Sequence, residues 1–373
     1  MSKLAITATI HLFILSENVM KLPKTMKAAI LVEQRRPLIV DEIELPQTLE
    51  VGQVLVKIHF SGICGSQLGE IDGAKGEDRF IPHLLGHEAS GSVMKIGPGV
   101  KHVKQDDLVV LHWRKGLGIE GAPPIYRWRG QKLNAGWVTT FNEYAIVSEN
   151  RVTPIPSESD LEVAALFGCA VTTGFGVVEN NAKLRMGESV VIFGAGGIGL
   201  NIVQAAALVS AYPIIAIDLH DSKLELAKQI GATHLINSSQ SDAREAILEN
   251  VTNARVDVFI DNTGQPAVIE MGYEITKHQG RVILVGVPRK EKNINIYSLP
   301  LHFGKSIKGS HGGETIPHED IPRYQKLLDA GCIQLKPLIT DHFKLDEINT
   351  AINKMRSGEI AGRCMIKMSD KLS

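Results

Sequence analysis

The sequence predicts an α/β protein of two domains, one β-rich and one built on a doubly wound parallel sheet. Three observations predict it. The chain has 373 residues, more than one hydrophobic core usually organises. From Lys27 to about Asn150, short strand-like runs are separated by Gly, Pro and Asp turns, and helical periodicity is scarce. From about Val171 onward, strands alternate with amphipathic helices, the rhythm of βαβ units around a parallel sheet.

The elements follow in order. Residues 1–25 open with Lys3 and an apolar run, Ala5–Leu15, that imitates the start of a signal peptide. The run is short, holds His11 and lacks a clean small-residue cleavage site. It reads as a disordered or loosely docked extension, or as the product of an upstream start codon, with the fold beginning at Met26-Lys27-Ala28-Ala29. Strands are expected at Lys27–Val32, Val54–Phe60, Ser90–Ile96, Leu108–His112 and Tyr144–Val147, with a turn at Gly97-Pro98-Gly99. Beyond the change of pattern, Ser189–Phe193 reads as a strand and Gly197–Val209 as a helix. Pro213–Asp218 is the next strand, and Ser222–Ile230 the next helix, stopped by Gly231. Val256–Ile260 and Val282–Val285 are further strands; helices follow at Ile321–Ala330 and Asp346–Arg356, and Cys364–Lys367 closes the chain as a strand. The tail is expected to return to the first domain. That makes one discontinuous domain, 26–170 with 312–373, and a second at 171–311.

Composition narrows the function. Apolar residues make up 44% and charged residues 22%, as in an ordinary globular protein. Lys+Arg minus Asp+Glu is 40 − 41 = −1, which gives no field to attract nucleic acid or an anionic membrane. No run reaches the roughly 20 apolar residues of a membrane span. Four cysteines are too few for a disulfide scaffold and fit a reducing, cytoplasmic setting. Cys332 and Cys364 lie in apolar stretches and are expected as inert core thiols.

The strongest local signal is Gly194-Ala195-Gly196-Gly197-Ile198-Gly199. It follows the apolar run Val190-Val191-Ile192-Phe193, opens an apolar helix, and precedes an acid, Asp218, that ends the next strand. This is the full dinucleotide fingerprint. Gly194 allows the tight turn, Gly196 lets backbone approach a pyrophosphate, and Gly199 allows close helix–strand packing; the phosphates meet free N–H groups at a helix N-terminus. A carboxylate at Asp218 accepts ribose hydroxyls and repels a 2′-phosphate, and no arginine follows it. NAD is therefore expected over NADP. Lys223 reads equally as an adenosine-ribose contact and as a solvated lysine.

A second constellation is dispersed: Cys64 in Gly62-Ile63-Cys64-Gly65-Ser66, His87 in Gly86-His87-Glu88, and Cys169 in Gly168-Cys169 before Thr172-Thr173-Gly174. Two thiolates and an imidazole suit zinc, and three protein ligands leave a fourth position for substrate. Spacing alone leaves two readings open: a zinc site, or two buried thiols and a satisfied histidine.

These motifs, in this order and followed by the fingerprint, resemble the zinc-dependent medium-chain alcohol dehydrogenases. The similarity runs from Lys27 to Met368 and includes Arg281-Val282-Ile283-Leu284-Val285-Gly286-Val287 and Arg356-Ser357-Gly358-Glu359. The resemblance implies a GroES-like catalytic domain with an inserted Rossmann domain, and one catalytic Zn2+ on Cys64, His87 and Cys169. It implies Glu88 behind the metal or as an alternating ligand, with a buried ion pair as the plain alternative, and Ser66 at the substrate oxygen. It also implies Thr173 near the nicotinamide, Val285 at the cofactor and Arg363 at the pyrophosphate. The implied activity is reversible hydride transfer between an alcohol and NAD, with a small-molecule alcohol or carbonyl substrate and a homodimer or homotetramer whose contact lies at the sheet edge near Val285–Ile296.

The chain also departs from that family. The lobe His112–Val138 holds no cysteine, so a second, structural zinc is not expected. Trp113, Arg114, Trp128 and Arg129 suggest a lobe held by aromatic and guanidinium packing, or an anion-recognising rim. Gln67 stands where relatives carry Asp, which should alter the electrostatics at the metal. Gly69 stands where a relay histidine is found; ribose and water, or another residue such as His311, would take over its role. The alternatives are an NAD-binding sensor or structural protein that has lost catalysis, and a zinc-free quinone or enone reductase on the same fold. The lobe hints at a substrate more polar than ethanol: a polyol, a sugar-derived alcohol, an amino-cyclitol or a glutathione adduct.

Overall fold

A computed structural model describes residues 23–250 and 255–368. The extension expected at 1–25 falls outside the described residues as far as residue 22. The first strand, Thr25–Leu31, buries Met26, Ala28, Ala29, Ile30 and Leu31. It pairs with Ile39–Glu44 on one side and His83–Leu84 on the other, and Ile125–Trp128 and Gln131–Asn134 complete a small closed barrel.

Beside it lies a seven-stranded sheet centred on Gln53–Gly62. That strand pairs antiparallel with Glu88–Ile96, Tyr144–Ser148 and, from the far end of the chain, Arg363–Lys367. Ile339–Lys344 runs parallel to Arg363–Lys367 at the sheet's edge. Alternate residues Val54, Val56 and Ile58 are buried in one core with Ala89, Val93, Leu111, Ile352 and Ile366, so the C-terminal strand and helix share the core of the early strands.

The third sheet has six strands, all parallel, in the order His234–Asn237, Ile214–Asp218, Val190–Phe193, Val256–Asp261, Thr276–Leu284, Ser306–Gly309. Counted along the chain this is 3-2-1-4-5-6, the doubly wound order whose crevice opens where the first and fourth strands part. Near-continuous Val and Ile runs, such as Val190-Val191-Ile192, fit strands buried on both faces.

Two expectations need correction. Cys364 is buried, but Cys332 is exposed, because it follows the left-handed Gly331 in the turn that ends helix Pro317–Asp329. The segment expected as the sheet edge, Val285–Ile296, carries no strand. Thr276–Leu284 ends before it, and Ser306–Gly309 adds the outermost strand. Next to that edge Tyr297 and Phe303 are exposed. The lobe 112–138 packs on itself and its neighbours. Arg129-Gly130 turns a two-residue hairpin with both residues at positive φ. Trp128 donates from Nε1 to Asp41 at 2.8 Å, Arg129 lies over the Trp128 ring at 4.6 Å, and Tyr126 is fully buried. Among the described residues no single helix is long and apolar enough to cross a membrane.

Candidate metal and dinucleotide site

Each thiol and the imidazole sit where an element begins. Cys64 caps helix Gly65–Ile71, His87 precedes strand Glu88–Ile96, and Cys169 caps helix Ala170–Gly176. Their ligand atoms lie within 4.8 Å of one another. Gly168 makes the convergence possible: a Cβ there would stand 2.4 Å from the carbonyl oxygen of Leu111 and 2.8 Å from Cα of Glu88. Only a glycine lets the Cys169 turn press against the strands that carry His87.

The cluster is buried and electrostatically paired. The neighbouring Cys169 thiol holds Cys64 well below the ordinary thiol range, with Arg363 and His87 adding to the effect. Cys169 is pushed well above that range by Cys64 and by burial. Burial alone would lower the His87 pKa, but the Cys64 thiolate beside it overrides that and raises it. Nε2 of His87 is buried without a hydrogen-bond partner. Two soft sulfur donors and an unengaged imidazole nitrogen, facing one point, fit a Zn2+ ion and leave a fourth position open.

Behind the cluster, Glu88 is fully buried and its carboxylate pairs with Arg363 at 3.0 Å. It also accepts from the backbone N–H of Ala170 at 3.1 Å. Arg363, expected at a pyrophosphate, directs one arm to Glu88 and the other to the carbonyl oxygen of Ile63 at 3.0 Å. Its stem lies against Gly197 of the fingerprint. Gln67 accepts from the Cys64 backbone N–H at 2.8 Å and meets His87 Nδ1 with its amide nitrogen. Ser66 is placed with its hydroxyl buried and unpartnered.

The fingerprint forms the expected strand–turn–helix. Gly194 has φ +96° and a Cβ on Gly199 would fall 2.0 Å from the Gly194 carbonyl oxygen. Helix Gly197–Leu208 starts from Gly196, where nothing lies within 4 Å of a Cβ position, so the turn is open on that side. Ile198 packs on the core. Asp218 accepts from Ala195 N at 2.8 Å and from Leu219 N and His220 N, and Lys223 Nζ stands 3.8 Å from it. Val285 N donates to Asp261 O at 2.8 Å.

Two short bridges join the sites. Thr173 Oγ1 is 4.0 Å from Cys169 Sγ, and the next residue, Gly174, packs directly on Asn201 of the fingerprint helix. Arg363 joins Glu88 to Gly197 on the other side. The metal cluster and the fingerprint helix are thus joined through Thr173 and Gly174 on one side and through Arg363 on the other.

The sequence reading missed two participants. Asn262 donates from Nδ2 to the carbonyl oxygen of Gly194 at 3.3 Å, and Asp261 accepts from Thr263 N and Gly264 N. The polar run Asp261-Asn262-Thr263-Gly264 at the end of an apolar strand was the available signal. Trp113, already singled out in the lobe, stands close by. It follows His112, which is paired with Glu88, and its ring abuts Gly312 and meets His311 edge-on at 4.9 Å. His311 in turn accepts from Arg114 Nη1 at 2.6 Å, which ties it to the catalytic-side lobe.

His112 itself carries a testable load. It is 1% exposed, and bonds Arg114 O at 2.8 Å and Thr153 Oγ1 at 2.9 Å. Burial lowers its pKa from 6.5 to about 4. Between those values the unfolded chain binds a proton that the folded chain refuses. Stability from this ring is therefore intact above pH 6.5 and drains as pH falls to about 4, by roughly 3 kcal/mol. Urea midpoints at about pH 7 and about pH 4.5 should differ less in His112→Gln than in wild type; equal differences would count against this assignment.

A cavity of about 930 Å³ reaches His87 and Gln67. Lys75, Arg79 and Lys132 line it together with Glu70 and Asp78, so its walls offer donors and acceptors.

Comparison with known proteins fits this geometry. Residues 50–157 match the alcohol dehydrogenase GroES-like domain, and residues 197–330 match the zinc-binding dehydrogenase domain. The class-3 alcohol dehydrogenase of Cereibacter sphaeroides is 32% identical over 89% of this chain and 97% of that protein. The chain belongs to the zinc-dependent medium-chain alcohol dehydrogenase family. An S-(hydroxymethyl)glutathione dehydrogenase of Photobacterium damsela is also 32% identical, over 89% of this chain and 97% of its own length. The crystal structure of benzyl alcohol dehydrogenase from Acinetobacter calcoaceticus superposes with a TM-score of 0.83 at 29% identity, covering 93% of this chain and 100% of that one. As a family member the chain is an oxidoreductase with a GroES-like fold joined to a Rossmann fold, and zinc is the metal that its Cys-His-Cys cluster fits.

Proposed function

We propose that the chain oxidises polar alcohols reversibly with NAD, using one Zn2+ held by Cys64, His87 and Cys169. The observation that carries this reading is the proximity of the two sites: Cys169, Thr173 and Gly174 lead from the thiolate cluster straight onto the fingerprint helix. A zinc ion bound there supplies Lewis acidity toward an alcohol or carbonyl oxygen.

The protein's own residues do the rest. Gly194, Gly196, Gly197, Ile198 and Gly199 cradle the pyrophosphate at the helix N-terminus. Asp218, with Lys223 beside it, takes the adenosine ribose and selects NAD. Thr173 and Val285 flank the nicotinamide. The buried hydroxyl of Ser66, free of other partners, holds the substrate oxygen and takes its proton. Gly69 continues no relay along helix Gly65–Ile71, so the proton leaves by ribose and water; His311, held by Arg114 and Trp113, is engaged elsewhere. Glu88 neutralises Arg363 and supports Cys169 through Ala170 N.

Substrate class follows from the cavity. Its charged lining of both signs suits a polyol or sugar-derived alcohol. A glutathione adduct is the second candidate, favoured by the 32% identical S-(hydroxymethyl)glutathione dehydrogenase. Four free thiols fit a cytoplasmic enzyme. The exposed Tyr297 and Phe303 beside the outermost strand fit a homodimer or homotetramer.

The test is a screen of alcohols, sugar alcohols and the formaldehyde–glutathione adduct, following NADH, with and without chelator. Metal content and light-scattering mass are read on the same sample. About one zinc per chain, chelator-sensitive NADH formation and a mass of two or four chains are expected. Alcohol oxidation by a sample without zinc would sink the metal assignment.

A further inference from the structure

The side chain behind the metal cluster is an amide, and its hydrogen bonds are polar in a fixed sense. Gln67 is 1% exposed and faces two partners. One is the backbone N–H of Cys64, 2.8 Å from Oε1. That group can only donate, so the amide oxygen must face it. The amide nitrogen is thereby turned to Nδ1 of His87, and an NH2 group can only donate. The neutral His87 ring must then accept at Nδ1 and carry its proton on Nε2.

With Nδ1 engaged by Gln67, Nε2 is the ring nitrogen left to join Cys64 and Cys169 in the cluster. A metal ligand needs a lone pair there, with the proton on Nδ1 and an acceptor behind it. Gln67 offers that acceptor only by turning over, and the turned amide then sets NH2 against the Cys64 N–H. Either arrangement leaves two donors facing each other in a buried place, which is costly.

We propose that Gln67 makes this a weak-holding metal centre, one that loads and releases Zn2+ more readily than a carboxylate at the same position would allow. The inference rests on the metal assignment proposed above. A carboxylate of the same length would accept from Cys64 N–H with one oxygen and from His87 Nδ1–H with the other. Gln67→Glu makes that change without altering shape. The centre's occupancy in wild type should then follow the free zinc around the protein, so that metal supply sets how much enzyme is active.

The experiment follows zinc transfer from the loaded full-length protein to a chromogenic chelator. Gln67→Glu should release zinc on the order of 10- to 100-fold more slowly than wild type. Equal or faster release from Gln67→Glu overturns the proposal. Zinc uptake by Gln67→Glu alone supports it. If neither protein takes up zinc, the metal assignment fails and this inference with it, whereas wild-type uptake with unchanged release fails the inference alone. A second measurement needs no variant. In the zinc-free wild type, the ring 15N–1H pattern of His87 should place the proton on Nε2; a proton on Nδ1 overturns the proposal.

Discussion

His87→Ala should reduce alcohol-dependent NADH formation by at least about 10³-fold, while leaving the protein folded and able to bind NADH. The magnitude comes from the chemistry withdrawn. Lewis-acid stabilisation at the substrate oxygen is worth several kcal/mol, and about 4 kcal/mol is 10³ in rate. With two thiolates left and no imidazole, the cluster within 4.8 Å becomes a two-ligand site that holds zinc poorly. The fold should tolerate the change because His87 is only half-buried and sits outside the strand that begins at Glu88. The local loss is one bond to Gln67, about 1 kcal/mol. NADH affinity, read by fluorescence titration, should stay within a few-fold, since the fingerprint turn does not touch His87. Zinc content should fall in parallel with activity. A variant that keeps a tenth or more of wild-type turnover would remove His87 from the chemistry and leave the cluster a structural thiol pair.

Much of this site was legible because its signals are local. A glycine turn after four apolar residues and before an apolar helix needs no tertiary knowledge, and helix Gly197–Leu208 starts where that pattern places it. Strand Leu108–His112 matches the expected bounds, since an apolar run between turns admits little else. The short strands of the barrel were missed. His83–Leu84 has two residues, too few to show any period, and in Ile39–Glu44 half of the residues are charged and half are exposed. Helix Ala170–Gly176 was missed for the opposite reason. Val171, Thr172, Thr173, Gly174 and Gly176 are poor helix formers, and burial of all seven residues against the fingerprint helix overrides their preference. The candidate zinc ligands stood out by their glycine contexts and were assigned through the family resemblance, but their convergence depends on Gly168 pressing against Leu111 and Glu88, a contact no spacing rule reveals. Cys332 shows the limit of reading burial from neighbours: Ile333 and Leu335 are buried while the thiol beside them faces solvent.

A buried ion pair was one sequence reading of Glu88, but its partner, Arg363, 275 positions away, was out of reach of the sequence, and the pair carries the largest expected effect on stability. Glu88 is 0% exposed and Arg363 4%. Burial pushes the Glu88 carboxyl up, and the Arg363 guanidinium is the main force pulling it back. Arg363→Leu leaves that carboxylate uncompensated and the Ile63 carbonyl without its donor. Breaking one side of a buried pair costs about 3–5 kcal/mol, and the lost bond adds about 1 kcal/mol. The loss should be seen as a lower urea midpoint with an unchanged slope. Arg363→Lys should recover little, because an ammonium cannot reach Glu88 and Ile63 O together as the forked guanidinium does. The double variant Arg363→Leu with Glu88→Leu should recover most of the stability, since the desolvated charge is then gone from both sides. Its activity should stay low if the pair also fixes Cys169 through Ala170 N and the turn at Gly197. Two single losses that simply add in the double variant would show that the charges do not compensate each other, and the coupling drawn here between the C-terminal strand and the metal cluster would fall.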